Sequence, residues 1–314
     1  MVVNTLPADH ILRKHNLEMY LTKKIEPKVP FLSMLPLADN DTGEFPTVLT
    51  DYTAKEEIDN GVLSEPMPVT EGSELTDVEL SPLNAVLGKT TVVGYQFRFT
   101  ERFLRRQDSE ARIKLALSKI DAGMAHKLNA IFLNALINAS SASFPSDLSD
   151  WATAIDPRSD AIKLRDEFNT GSAGTDDLPF ELGKCFVSNN MHVKLQEYYM
   201  SMDWPFNNQS IDVDGTYFEN VKNAFNGISG YNIVGLDQSV PPGIIEKYVD
   251  PKYSTIKQAE LQDAQKSIEI PPSLINVNLV EPRKIEEPYI YQVVAEVGYS
   301  SQEPKGVLAG SLSA

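Results

Sequence analysis

From Ile113 to Ala135, apolar side chains recur at Ile113, Leu117, Ile120, Met124, Leu128, Ile131 and Ala135. The spacings of 4, 3, 4, 4, 3 and 4 draw one continuous stripe along an α-helix. Asp108, Ser109 and Glu110 supply start signals, and the polar run Asn138-Ala139-Ser140-Ser141 closes it. About thirty residues at roughly 1.5 Å each make a rod of roughly 45 Å, more than twice the length of an average helix. A helix of that length, flanked by long strands, is the backbone of a thin, extended subunit.

The segments around it fit an extended shape and an α+β class. Residues 1–43 read as an arm, with a helical patch from Ala8 to Lys23 whose apolar residues are Ile11, Leu12, Met19 and Tyr20. Pro27, Pro30 and Pro36 then impose an extended path. An arm this long cannot bury itself and must lie on something. Residues 44–100 read as a long hairpin, with strands at Phe45–Tyr52 and Thr90–Thr100. In the second strand Val93, Tyr95, Phe97 and Phe99 face one way, and Gly94, Gln96, Arg98 and Thr100 the other. The acidic connection between them carries Gly61, Pro66, Pro68, Gly72 and Pro82. Connections that long are usually functional or disordered, and two strands alone are marginal in water, so the hairpin calls for a partner surface.

After the spine helix of residues 101–149, residues 150–272 read as a separate α/β domain. Helices are expected at Ser159–Phe168 and Asn190–Met200, strands at Cys185–Ser188 and Tyr231–Gly235, and turns at Gly227, Gly230 and Pro241-Pro242-Gly243. Residues 273–314 return as strands, Leu274–Leu279 and Tyr289–Val297, and a tail. No repeat of fixed period is present.

Charge narrows the function. Forty-four acidic against 28 basic residues leave −16 over 314 residues, which argues against a sequence-reading nucleic-acid protein and against a polybasic membrane binder. Residues 44–97 hold ten carboxylates and two lysines, half of the whole deficit. Immediately afterwards come Arg98, Arg102, Arg105, Arg106 and Arg112, five of the nine arginines. Such runs are either solvated faces or complementary patches between neighbouring copies. On the second reading Asp51, Glu56, Glu57, Glu71 and Glu74 would meet the five arginines across subunit boundaries. No apolar run approaches the roughly 20 residues that cross a bilayer, and Met1–Asp9 lacks a secretory layout. A soluble intracellular product without membrane contact is expected.

The motifs that carry chemistry are absent or incomplete. Gly88-Lys89-Thr90 imitates the end of a phosphate loop, but Leu83 stands where its first glycine belongs. Cys185, the only cysteine, lies seven residues before His192 and reads as a core residue rather than a nucleophile. His10, His15 and His126 form no metal motif. Asp39, Asp41 and Glu44 around Gly43 suggest a turn more than a calcium loop. No catalytic residue, cofactor or metal site is assigned, and no enzyme activity is expected.

The order of arm, acidic hairpin, spine helix, α/β domain and returning strands resembles the major capsid proteins of tailed double-stranded DNA phages and their archaeal relatives. That is the Hong Kong phage-type shell fold, also seen in encapsulins. The resemblance is carried by Val78-Glu79-Leu80-Ser81-Pro82-Leu83 through Gly94-Tyr95-Gln96-Phe97-Arg98-Phe99-Thr100-Glu101-Arg102-Phe103-Leu104, running into the helix, by Thr70-Glu71-Gly72 as a loop tip, and by Val294–Tyr299 with Pro304–Val307 at the close. It implies an N-terminal arm (1–43), an extended loop (44–100), a peripheral domain built on the spine helix (101–149) and returning strands (273–314), and an axial domain (150–272). It further implies hexamers and pentamers closing an icosahedral shell around packaged double-stranded DNA, without sequence-specific binding. Its partners would be separate scaffolding and portal proteins, with decoration proteins as an optional addition. The product would be a virion capsid assembled in the host cytoplasm. Some relatives crosslink a lysine to an asparagine, for which Lys55 and Lys89 are candidates by location alone. An encapsulin-like compartment and a soluble α/β enzyme are the competing readings.

Overall fold

The computed structural model describes residues 14–48, 85–168, 181–201, 210–249, 274–280 and 287–312, apart from 105, 107, 141, 143, 152, 154, 222, 223, 227, 239 and 240. In chain order these form α1 (Lys14–Ile25), 3-10 turns at Glu26–Lys28 and Pro30–Ser33, β1 (Leu37–Asn40), β2 (Glu44–Val48), β3 (Ala85–Lys89) and β4 (Thr91–Phe99). A helical turn (Glu101–Leu104) leads into α2 (Ser109–Ala139), followed by α3 (Pro157–Asp166), β5 (Leu182–Val187), α4 (Asn189–Ser201), β6 (Ser210–Val213) and β7 (Thr216–Asn220). The chain finishes with β8 (Ile233–Asp237), β9 (Gly243–Tyr248), β10 (Asn276–Val280), β11 (Tyr289–Ser301) and β12 (Val307–Gly310). The class is α+β. Two compact units share these elements. One draws on Met1–Phe45, Gly88–Phe132 and Ile245–Tyr299, the other on Pro46–Leu87, Leu133–Ile244 and Ser300–Ala314.

In the first unit β11 is the hub of a sheet ordered β1-β9-β11-β10, with β4 also paired to β11. Along β11, Tyr291, Val293, Ala295 and Val297 are buried while the residues between them are half-buried, the period-2 pattern of a strand with one face on a core. The odd-numbered face of β4 meets that face in register, Phe97 opposite Tyr291 and Tyr95 opposite Val293. Phe97 stacks on Tyr291 at 5.0 Å, Phe99 lies edge-on to both rings, and Phe103 stacks on Phe99 at 5.3 Å. This corrects the hairpin as read from sequence. Its second strand pairs with β11, almost 200 residues away, while β2 pairs with the short β3. An apolar strand face needs an apolar partner face, and β11 offers one.

The described part of the arm packs on its own chain. Leu17, Leu21 and Ile25 of α1 are buried, and Val29, Phe31 and Leu35 continue the contact. Met19, expected among the apolar contacts, points outward at 43 % exposure, because the buried positions repeat every four residues from Leu17. After α1 the arm is not extended as the prolines suggested, because Pro27 and Pro30 stand at the start of the two 3-10 turns; there Lys28 Nζ lies 2.7 Å from Asp121 Oδ1 of α2, Asn129 Nδ2 donates to the Lys28 carbonyl at 2.9 Å, and Phe31 sits edge-on to Phe132. Asp121 is only 7 % exposed at its side chain, and the lysine supplies the countercharge that a buried carboxylate requires. Glu26 accepts a hydrogen bond from Leu274 N at 3.4 Å.

Helix α2 has the start and the end that the sequence indicates. Ile113, Leu117, Ile120, Met124 and Leu128 are buried as expected, but the stripe then moves round by one residue, to Phe132, Leu133 and Leu136. Ile131 and Ala135 are only half-buried. The boundary between the two units falls between Phe132 and Leu133, so the last two turns answer to a different core.

Phe45 on β2 fastens the base of the hairpin. Its ring, 4 % exposed, lies between Gly88 of β3 and Gly298 of β11, and a Cβ at either glycine would overlap ring atoms. The ring is blocked on both sides and cannot swing clear of one glycine without striking the other.

The second unit contains a sheet ordered β12-β8-β5-β7-β6. Strands β5 and β7 run parallel, and the other pairs are antiparallel. Strands β6 and β7 form a hairpin through Asp214-Gly215, both at positive φ (50° and 91°), the conformation that favours an Asp-Gly pair in a two-residue turn. Trp151, Leu164 and Phe168 pack with Met191, Leu195 and Tyr199 of α4 and with Phe218 and Leu308 of the sheet. Asp156 caps α3, accepting from Ser159 N, and buried Asp160 accepts from Trp151 Nε1 at 2.6 Å and from Ser149 N and Oγ. The final strand, expected with the other returning strands, pairs instead with β8, and residues from Ile245 onward in the 150–272 segment fall to the first unit.

Two measurements test these contacts. Gly298→Ala is expected to destabilise the protein by about 1–3 kcal/mol through overpacking, with part of the loss recovered when Phe45→Leu is added; additive losses in denaturant titrations would show that the ring is not trapped. Burial raises the Glu26 carboxyl above its ordinary 4.5, opposed by the Leu274 hydrogen bond and by Lys247. A raised carboxyl binds its proton more tightly in the folded state, so its contribution is present at low pH and is lost as pH rises through the folded value. Glu26→Gln therefore raises the thermal midpoint at neutral pH, and the gain vanishes below the ordinary value of 4.5. An equal gain at every pH contradicts this reading.

Candidate functional site

The nucleophile candidates occupy the second unit. Cys185 on β5 is fully buried, and burial pushes its thiol up to about 12, far from the thiolate range of reactive cysteines. His192, one turn into α4, is 2 % exposed, burial lowers its pKa, and its Nε2 makes no hydrogen bond among the described residues. Neither group opens to solvent where a substrate would meet it.

The remaining motif candidates lie in the first unit. Gly88-Lys89-Thr90 ends β3, with Lys89 Nζ 3.2 Å from Glu44 and Thr90 Oγ1 donating to Glu296 at 2.7 Å, so its polar groups face strands rather than a phosphate. Asn40 Oδ1 accepts from Thr42 N, Thr42 Oγ1 and Gly43 N. The segment around Asp39, Asp41 and Glu44 is thus a turn closed by its own asparagine. His126 is exposed on α2. Among the described residues no group of three His, Cys, Asp or Glu side chains could hold a metal ion, and no helix is long and apolar enough to cross a membrane.

The basic cluster is placed in the link between β4 and α2. Arg98, Arg102, Arg106 and Arg112 are all exposed along this stretch. Arg112 pairs with Asp108 at 2.6 Å, one turn back on its own helix, the kind of exposed pair that contributes a few tenths of a kcal/mol (about 0.3–0.5). Arg105 and the carboxylates expected to meet this cluster (Asp51, Glu56, Glu57, Glu71 and Glu74) lie outside the described residues. On the consecutive strands β3 and β4, Val86, Leu87 and Val92 expose 49–62 % of their surface.

Sequence reasoning did not single out a shallow pocket in the second unit, of about 230 Å³, between the start of α4 and the segment ahead of β8. Ser188, Asn189, Asn190, Asn226, Phe225 and Tyr231 line it. The recurring asparagines at 189, 190, 226 and 232 were the signal available, but they are dispersed over 44 positions and converge only when β5 and β8 pair.

No family model matches the chain, and no curated protein matches it by sequence. Solved structures do. The virus-like particle protein from Pyrococcus furiosus aligns over 95 % of this chain and 98 % of its own, with a TM-score of 0.53 at 9 % identity. The protein of the holo-SrpI encapsulin complex from Synechococcus elongatus PCC 7942 aligns over 91 % and 88 %, with a TM-score of 0.50 at 10 % identity. At such identities what is shared is the fold, and with an arm on a spine helix, a strand running into that helix, and a second α/β unit, the chain has the Hong Kong phage-type shell fold.

Proposed function

We propose that the chain is the major capsid protein of a tailed virus, and that its copies form the hexamers and pentamers of an icosahedral shell around packaged double-stranded DNA. The single observation that carries this reading is the shell fold matched over nearly the full length of both chains. In this reading residues 1–43 are the arm and 44–100 the extended loop, the first unit is the peripheral domain and the second the axial domain. The described part of the arm packs on its own chain, and this reading assigns exchange between neighbours to the extended loop. Its carboxylates would lie over the Arg98–Arg112 segment of an adjacent copy and set the register. A net charge of −16 suits a wall that must not grip DNA. Scaffolding and portal proteins would act in assembly, in the host cytoplasm, and the chain would have no catalytic role.

A second reading, a protein compartment that encloses protein cargo, is favoured by the likeness to the encapsulin complex. Light scattering and negative-stain microscopy of the protein expressed alone are expected to show capsomers, tubes or closed shells. A compact monomer that resists proteolysis over its whole length would end both shell readings. Nuclease-protected DNA in particles from the native source supports the capsid, and particles filled with one protein and no DNA support the compartment.

The charge pairing has its own test. Reversing Arg102 and Arg105 to glutamate is expected to cut shell yield about tenfold or more, since like charges across an interface cost several kcal/mol, with the circular dichroism of the subunit unchanged. Normal shells from that variant would refute the pairing.

A further inference from the structure

We propose that the asparagine-lined pocket of the second unit binds a neutral saccharide. The reasoning is independent of what the shell contains. Among the described residues no side chain lining the pocket is charged, although 23 % of the chain is Asp, Glu, Lys or Arg. These side chains offer no charge to pair with a phosphate, a carboxylate or a metal ion. The lining is not apolar either. Asn190 and Asn226 are exposed, and each amide offers two donors and a carbonyl acceptor, the set that pairs with adjacent hydroxyls of a sugar ring. Among the described residues neither amide makes a hydrogen bond, whereas the neighbouring Asn189 accepts from Asn220 at 3.1 Å and Asn232 is held by both backbone groups of Leu312. The pocket is thus framed by two fixed asparagines and left open at two others.

The apolar component is aromatic. Phe225 is almost buried and Tyr231 is 38 % exposed, and an exposed ring with a polar tip suits the mixed C–H and hydroxyl surface of a pyranose. The volume of about 230 Å³ falls below the roughly 300–1,000 Å³ of sites for larger ligands and accommodates one sugar residue. A terminal or internal residue of a glycan chain and a free monosaccharide present the same chemistry here, and the two arms of the test separate them.

The test is saturation-transfer NMR on the full chain, unassembled and assembled, with glucose, galactose and N-acetylglucosamine as probes, followed by a glycan array. At least one neutral sugar is expected to bind with Kd around 1 mM, an ordinary value for a small uncharged contact. Asn226→Ala and Tyr231→Ala should each weaken it at least about tenfold, the equivalent of one lost contact of 1.4 kcal/mol. Both positions are exposed, and an unchanged thermal midpoint certifies the fold. Should Tyr231→Ala unfold, Tyr231→Phe retains the ring and should retain binding, while Asn226→Ala still loses it. Array signal stronger than any monosaccharide identifies a polymer-borne glycan, and equal signal identifies the free sugar. No transfer from any probe and no array signal, or transfer unchanged in Asn226→Ala, overturns the proposal.

Discussion

A helix of 31 residues is not held by propensity alone; in water its persistence depends on burying one face. Helix α2 does so twice over, with Ile113 through Phe132 in one core and Leu133 and Leu136 in another. The rest of the chain is organised around supplying those two cores. Each is assembled from segments far apart in sequence, and both require residues near the C-terminus, β11 for the first and β12 for the second. The arm strand pairs with Ile245–Tyr248 in a sheet whose hub is β11, so it finds that sheet only after those distant segments exist. Such non-local pairing slows folding and exposes unpaired edges on the way.

Buried polar groups mark where segments are joined, 93 and 248 residues apart in two cases and 9 to 11 apart in the third. Lys28–Asp121 ties the arm to the spine helix, Glu26 reaches the segment leading into β10, and Asp160 gathers Trp151 and Ser149 around the start of α3. In each case an acceptor with little or limited access to water meets a donor from another stretch of chain. Misplacing any of these segments would strand a charged or polar group.

What was legible in the sequence is what depends on neighbours a few residues away. The ends of α2, the alternation of β4, the Asp156 cap and the approximate positions of β5, α4 and β8 follow from caps, stripes and period-2 patterns. Pairing partners do not. Tyr289–Val297 is long enough to pair with the hairpin, as it does, but nothing in Val93-Gly94-Tyr95-Gln96-Phe97 selects it over the strand before, because either would offer an apolar face. The outward turn of Met19 and the one-residue shift of the α2 stripe at Phe132 likewise depend on what lies opposite. The Asp214-Gly215 hairpin is different, because an Asp-Gly pair between two apolar runs is a local and strong turn signal. The acidic half of the expected subunit contact lies outside the described residues.

Cys185 has a use that its chemistry does not suggest. It is the chain's only cysteine, and its thiol is sealed in the core and pushed up to about 12, so in the folded protein it is nearly invisible to thiol reagents. Any cysteine placed on the surface would then be the sole reactive one without first deleting the native residue. The fold thus comes with a silent background for attaching single fluorophores or spin labels, and distances between copies can be read in an otherwise unaltered subunit.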